Sequence, residues 1–218
     1  MIWPNDFINK IICGDCLEIM KEMPDKSVNL VLTDPPYGID ICNRKQINYG
    51  LVSHLSRNPS GLKWDKRRLT KSQWKEIKRV SKNQIIFGAN YFWDYFYPTN
   101  CYLIWDKRGE LPDVPFMDTE LIWTSFVKRG SKKYIVRHHG FIKDDKEFKE
   151  NHPTQKPLIL IINMLLDFSQ ENDIILDPFL GSGTTTEACK LSHRKFIGIE
   201  INPEYCKIAN KRLAQGVL

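Results

Sequence analysis

No apolar stretch in these 218 residues is long enough to span a bilayer. The longest run, LILIINMLLDF from Leu158, is interrupted by Asn163 and closes with Asp167, and the opening MIWPNDFINK lacks the apolar core of a signal peptide. These absences predict a cytoplasmic protein. The six cysteines are scattered, which excludes a disulfide framework. Cys13 and Cys16 form one C-x-x-C, yet Cys42, Cys101, Cys189 and Cys206 supply no second pair and no histidines stand at metal-ligand spacing, so no metal is expected. Internal repeats and low-complexity tracts are missing too.

What is present is ordinary for a globular chain: 42% apolar and 27% charged residues, enough for one sizeable core and a single domain over residues 1–218. The net charge of +6 is modest but clustered, in KWDKRRLTKSQWKEIKRVSK from Lys63 and in VKRGSKKYIVRHH from Val127. A solvated helix face and a surface hairpin explain such runs without a partner; a polyanion explains them equally.

Along the chain, FINKIIC reads as a strand, CLEIMKEM as a short helix stopped by Pro24, and VNLVLT as a strand buried on both faces. From Asp40 to Leu69 no period is sustained, and Gly50, Pro59 and Gly61 mark a long loop. Thr70 and Gln73 form a capping box for a helix through Val80, followed by strands QIIFG, CYLIWD and ELIWTSF. Pro157 opens a helix to Phe168; strand DIILD, a helix from Thr184, strand KFIGIE and a helix started by Pro203 complete the chain. Apolar strands alternating with helices predict a mostly parallel sheet covered on both faces. Ligands of such sheets bind beyond the carboxyl ends of the strands, which puts DPPYG, DPFLGSGTT and EIN on one rim.

DIILDPFLGSGTT is a strand, a glycine turn and a helix start, suited to close approach by a ligand at Gly181 and Gly183. It is no dinucleotide fingerprint, because no third glycine stands among Glu187 and its neighbours, and no Walker loop, because no lysine follows Gly183. Glu200 ends the next strand, where an acid that binds ribose hydroxyls would stand.

TDPPYG, HPTQKP, LDPFLGSGTT and GIEIN, in that order, resemble the amino-methyltransferases of DNA in their β-type circular order, and the resemblance runs from about Ile11 to Lys211. It implies a Rossmann-like, seven-stranded, mostly parallel sheet with one antiparallel strand and a circularly permuted motif order. It also implies S-adenosylmethionine (SAM) as methyl donor and an exocyclic base nitrogen as acceptor. On the cofactor it implies Asp15 and Cys16 near the adenine, Asp34, Asp177, Phe179, Gly181, Gly183 and Thr184 in the binding loops, Glu200 with Asn202 at the ribose, and Thr154 and Lys156 near the methionine end.

An exocyclic amino nitrogen is a weak nucleophile because its lone pair is delocalised into the ring. Two fixed acceptors on its N–H bonds would draw it towards tetrahedral geometry. Asp34 supplies a carboxylate and Pro35 a carbonyl; Pro35 and Pro36 hold both with little freedom. Tyr37 is expected to stack on a base flipped from double-stranded DNA, its hydroxyl having no assigned part, and Gly38 to allow close approach. Lys63, Lys66, Arg67, Arg68, Lys132, Lys133 and Arg137 are the expected phosphate contacts, on insertions over 40–69 and 127–150. Asp34 favours adenine N6 over cytosine N4. Methylation of RNA or of a protein amide, and an inactive binding module, are the other readings; a chain without a separate recognition domain is also expected to form a homodimer.

Overall fold

The computed structural model describes residues 1–39, 68–110, 118–127, 129–139, 142–143 and 155–215, with the backbone alone at 138, 139, 142 and 143. Most of the expected insertion over 40–69 lies outside these residues. So does much of 127–150.

The strands are β1 (Lys10–Cys13), β2 (Val28–Thr33), β3 (Ser81–Phe87), β4 (Leu103–Asp106), β5 (Thr119–Thr124), β6 (Lys132–Ile135), β7 (His138–His139), β8 (Ile142–Lys143), β9 (Ile174–Asp177) and β10 (Lys195–Glu200). The helices are α1 (Cys16–Lys21), α2 (Lys71–Val80), α3 (Leu158–Phe168), α4 (Thr184–Leu191) and α5 (Pro203–Ala214). Eight strands form one sheet in the order β1-β10-β9-β2-β3-β5-β4-β6, while β7 and β8 pair separately. Among the described strands of this sheet, only β5 runs against its neighbours, antiparallel to β3 and β4. The reversed strand and parallel majority match the expected Rossmann-like class; the sheet has eight strands where seven were expected, because β6 adds itself in parallel to the edge of β4.

Two buried faces explain the uninterrupted apolar strands. Leu30, Leu32, Ile85 and Phe87 point to a core closed by α3 and α4, with Leu160, Met164 and Ala188. Val31, Ile86, Leu176 and Ile197 point to the opposite core, closed by Met20 of α1 and Trp74, Ile77 and Val80 of α2. Each such Leu or Ile stabilises the fold by about 1.5–3 kcal/mol relative to exposure. The capping box that starts α2 is formed: Thr70 Oγ1 accepts from Gln73 N at 3.2 Å, and Gln73 Oε1 from Thr70 N at 2.9 Å. From the same helix Arg79 donates to the carbonyls of Met20 and Met23 and pairs with Asp25 and Glu76, so this cation of the basic stretch ties α2 to α1.

The first strand starts at Lys10 rather than Phe7, because Asn9 takes a left-handed φ of 58° that breaks extension. Trp93 is 51% exposed, whereas Trp105 and Trp123 are core residues. Among the described residues no helix is long and apolar enough to cross a membrane.

Strand direction positions the site. β2, β9 and β10 end at one rim, at Thr33, Asp177 and Glu200. The reversed strand β5 begins at that rim, since its Phe87↔Ile122 register with β3 carries Glu120 past the end of β3.

Candidate active site

A cavity of about 600 Å³ opens along this rim, within the range of small-molecule sites. Asp15, Cys16, Asp34, Lys156, Asp177, Phe179, Gly181, Thr184, Glu200 and Asn202 line it. Of the residues expected around the cofactor, Thr154 is outside the described residues and Gly183 does not line the cavity. Gly183 caps α4 at a φ of 94°, and a Cβ there would come within 2.8 Å of the Ala209 side chain; packing against α5 and a left-handed turn by themselves demand this glycine.

On the β9–β10 side the carboxylates are held by neutral donors. Glu200 Oε2 accepts from Gly181 N and Oε1 from Asn202 N, both at 2.8 Å. Asp177 accepts from the hydroxyls of Thr33 and Thr185, each at 2.6 Å, and from Phe179 N at 3.1 Å. It therefore ties β9 to β2 and to α4. Burial pushes the Asp177 carboxyl up to about 6 and raises that of Glu200. Asp15 caps α1 by accepting from Leu17 N at 2.7 Å, and the buried Cys16 thiol lies 3.5 Å from Gln73 Nε2, its pKa pushed up to about 12 chiefly by burial.

On the β2 side the carboxylates share ammonium groups. Lys156 Nζ stands 2.5 Å from Asp34 Oδ2 and 3.2 Å from Glu120 Oε1. Lys107 Nζ stands 3.2 Å from Glu120 Oε2. The Tyr37 hydroxyl is in hydrogen-bond contact with Asp34 Oδ1 and, at 2.8 Å, with Glu120 Oε1. Burial and the Glu120 charge outweigh Lys156 at Asp34, whose carboxyl is raised. At Glu120 burial also pushes up, but Lys156 and Lys107 overcome it and the carboxyl is lowered. The Tyr37 phenol is driven well above its usual range by burial and by both acids.

Pro35 and Pro36 stand between these two partners, Asp34 and Tyr37. Pro35 is buried, the Pro36 carbonyl accepts from Leu69 N at 3.1 Å, and Tyr37 pairs with Arg68 in a short antiparallel bridge. The Tyr37 ring stacks on Tyr91, centroids 4.6 Å apart, above Gly88, where a Cβ would lie 2.3 Å from the ring. One expectation changes here. The Tyr37 hydroxyl, left without a part by the sequence, has two carboxylate partners. Lys156, expected near the methionine end of the cofactor, lines the cavity ion-paired with Asp34. Glu120 and Lys107 were missed. The signal for Glu120 was the reversed strand, whose first residues share the rim with the last residues of the others; Lys107 directly follows the rim end of β4.

Of the expected phosphate contacts, Lys63, Lys66 and Arg67 fall outside the described residues. Arg68 lines the cavity, paired with Asp94 at 2.5 Å and with its guanidinium 4.6 Å from the Tyr95 ring centre. Lys132 pairs with Asp167 and Lys133 with Asp106. The register Leu103↔Lys132 and Asp106↔Ile135 puts Lys132 at the far end of β6 from the rim, and exposed Arg137 two residues beyond the rim end.

A Rossmann-like sheet with a rim cavity and an acid-proline mouth defines an α/β methyltransferase class. A family model described as DNA methylase, of the N6 and N4 type, matches residues 63–211, and the chain belongs to that family. Type II methyltransferase M.HinfI of Haemophilus influenzae is 30% identical over 97% of this chain and 70% of its own length. Type II methyltransferase M.HpaI of Haemophilus parainfluenzae is 28% identical, over 94% and 74% respectively. Among solved structures, the M1.HpyAVI–SAM complex is similar with a TM-score of 0.58 and 26% identity, over 93% of this chain and 98% of that one.

Proposed function

We propose that this DNA methyltransferase transfers a methyl group from SAM to the exocyclic N6 of adenine, in a base turned out of double-stranded DNA. The observation that carries the reading is Asp34, an acid rather than a neutral residue, fixed at the cavity mouth by two prolines and by Tyr37. The chain's own residues fit the cofactor. Glu200 is 8% exposed and faces the cavity with one backbone N–H on each oxygen, which leaves lone pairs suited to two ribose hydroxyl donors. Asp15 and Cys16 from the start of α1, Phe179, Gly181 and Thr184 from the β9–α4 turn, and Asn202 complete the proposed enclosure. SAM supplies an electrophilic methyl group when bound.

Asp34 accepts one N–H of the amino group and the Pro35 carbonyl the other. Both bonds strengthen as nitrogen becomes tetrahedral, so they favour the transition state over the bound base. Tyr37, braced from one side by Tyr91, is the stacking ring for the base. The test is incubation with radiolabelled SAM and duplex DNA followed by nucleoside analysis. N6-methyladenine is expected; N4-methylcytosine, or label appearing only in RNA or protein, overturns the reading.

A further inference from the structure

We propose that Glu120 is a positioning residue that prepares Asp34 to take the proton shed by the target amino group; this rests on the methyl-transfer reading above. The geometry is a matter of counting protons. Tyr37 has one hydroxyl proton and two carboxylate oxygens within reach, Asp34 Oδ1 and Glu120 Oε1. Lys156 gives one N–H to each acid. When Glu120 takes the Tyr37 proton, Asp34 Oδ1 faces the lone pairs of the phenolic oxygen. That contact is favourable only with a proton on Asp34.

The quartet therefore holds a seat for one proton beyond those of two ionised acids, and the seat is on Asp34. Glu120 makes it so in two ways: it claims the phenolic proton, and it shares the ammonium that would otherwise neutralise Asp34 alone. Glu120 keeps its own charge because Lys107 pairs with its other oxygen. The groups facing Asp34 among the described residues are Tyr37 from its own loop, Glu120 from β5, Lys156 ahead of α3, and the charge of Asp177 at the end of β9.

In the reaction the amino nitrogen forms its new N–C bond with its lone pair, while the methyl carbon leaves sulfur and that bond's electron pair stays on sulfur. One N–H bond then breaks. Its electron pair stays on nitrogen, cancelling the positive charge, and the proton forms an O–H bond on Asp34. The cavity beside Asp34 gives water a route to remove that proton before the next turnover.

The experiment is single-turnover methylation of duplex DNA with labelled SAM, measured from pH 5 to 9. Glu120→Gln keeps an oxygen for Tyr37 but removes the charge, so the acid-side midpoint of the rate should fall by about one pH unit, the scale of a lost neighbouring charge. Lys107→Met leaves the Glu120 charge less compensated and should move the midpoint the other way. Its result stands by itself if Glu120→Gln does not fold. Calorimetric SAM affinity should be unchanged in both. Midpoints that coincide with that of the parent overturn the proposal while the parent's activity upholds the methyl-transfer reading. A parent that methylates no DNA overturns the reading and the proposal together.

Discussion

The two halves of the rim treat their acids differently: Asp34 at the mouth keeps 28% of its side chain exposed, while the other three are buried. Asp177, Glu200 and Glu120 are 4%, 8% and 7% exposed. Asp177 and Glu200 are held by hydroxyls and backbone N–H groups, whereas Glu120 and Asp34 share Lys156, with Lys107 behind. Burial raises every one of these carboxyls; only Glu120, facing two ammonium groups, is driven below its usual value. Dipoles alone leave Asp177 raised to about 6. The neutral half holds its acids with hydroxyls and backbone N–H groups; the charged half is the one proposed to move a proton.

The largest break between the halves should come from Asp34→Ala. Its acceptor acts mainly as the nitrogen becomes tetrahedral, so turnover should fall about 10²- to 10⁴-fold, the scale of a lost catalytic acceptor. SAM affinity and duplex binding should stay near those of the parent. Single-turnover rates alongside calorimetry check this, and a variant that keeps near-normal methylation would refute the role of the strand mouth.

Glu200→Ala should do the reverse. Loss of a charged acceptor facing ribose hydroxyls should weaken SAM binding by roughly 1.5–3 kcal/mol with the fold intact. Calorimetry showing parental affinity would remove Glu200 from the cofactor half.

Asp177 sharpens the comparison through pH. Its carboxyl is raised in the folded state to about 6, against about 3.9 unfolded. The folded state thus binds more protons between those values, and stability falls as pH rises from about 4 to about 6, then levels. The contribution is on the order of 3 kcal/mol. Asp177→Asn lacks the titrating group, so the stability difference between parent and variant should change across that window. Urea unfolding at pH 4 and at pH 7 measures it; a difference independent of pH would mean that the Asp177 carboxyl does not titrate there.

Much of the neutral half was legible because its residues follow one another along the chain. LDPFLGSGTT and GIEIN each end a strand and begin a turn, and the cavity gathers most of both. The charged half is assembled from four separated segments, at Asp34, Lys107, Glu120 and Lys156, and no local pattern marks their meeting. Glu120 begins a strand, and strand ends alone were read as the rim. Gly183 carries a second reason that the motif did not show: Ala209 and a left-handed turn require a glycine there. The basic segments misled most where they are spent inside the fold, as at Arg79 under α1.

The smallest effect separates two cations of one segment. Lys132 sits at the far end of β6, paired with Asp167, which also accepts from the Tyr134 hydroxyl. Arg137 is exposed past the rim end of the same strand, at the rim where Asp34 stands. A phosphate contact that releases one counterion steepens the dependence of binding on salt by about one in the log–log slope. Arg137→Ala should therefore flatten that slope by about one and weaken binding to all duplexes alike. Lys132→Ala should leave the slope nearer that of the parent, because Lys132 stands at the end of β6 away from the rim. Titrations of labelled duplex at several salt concentrations compare them. Equal slopes for both variants would mean that the edge strand does not sort its charges by distance from the rim.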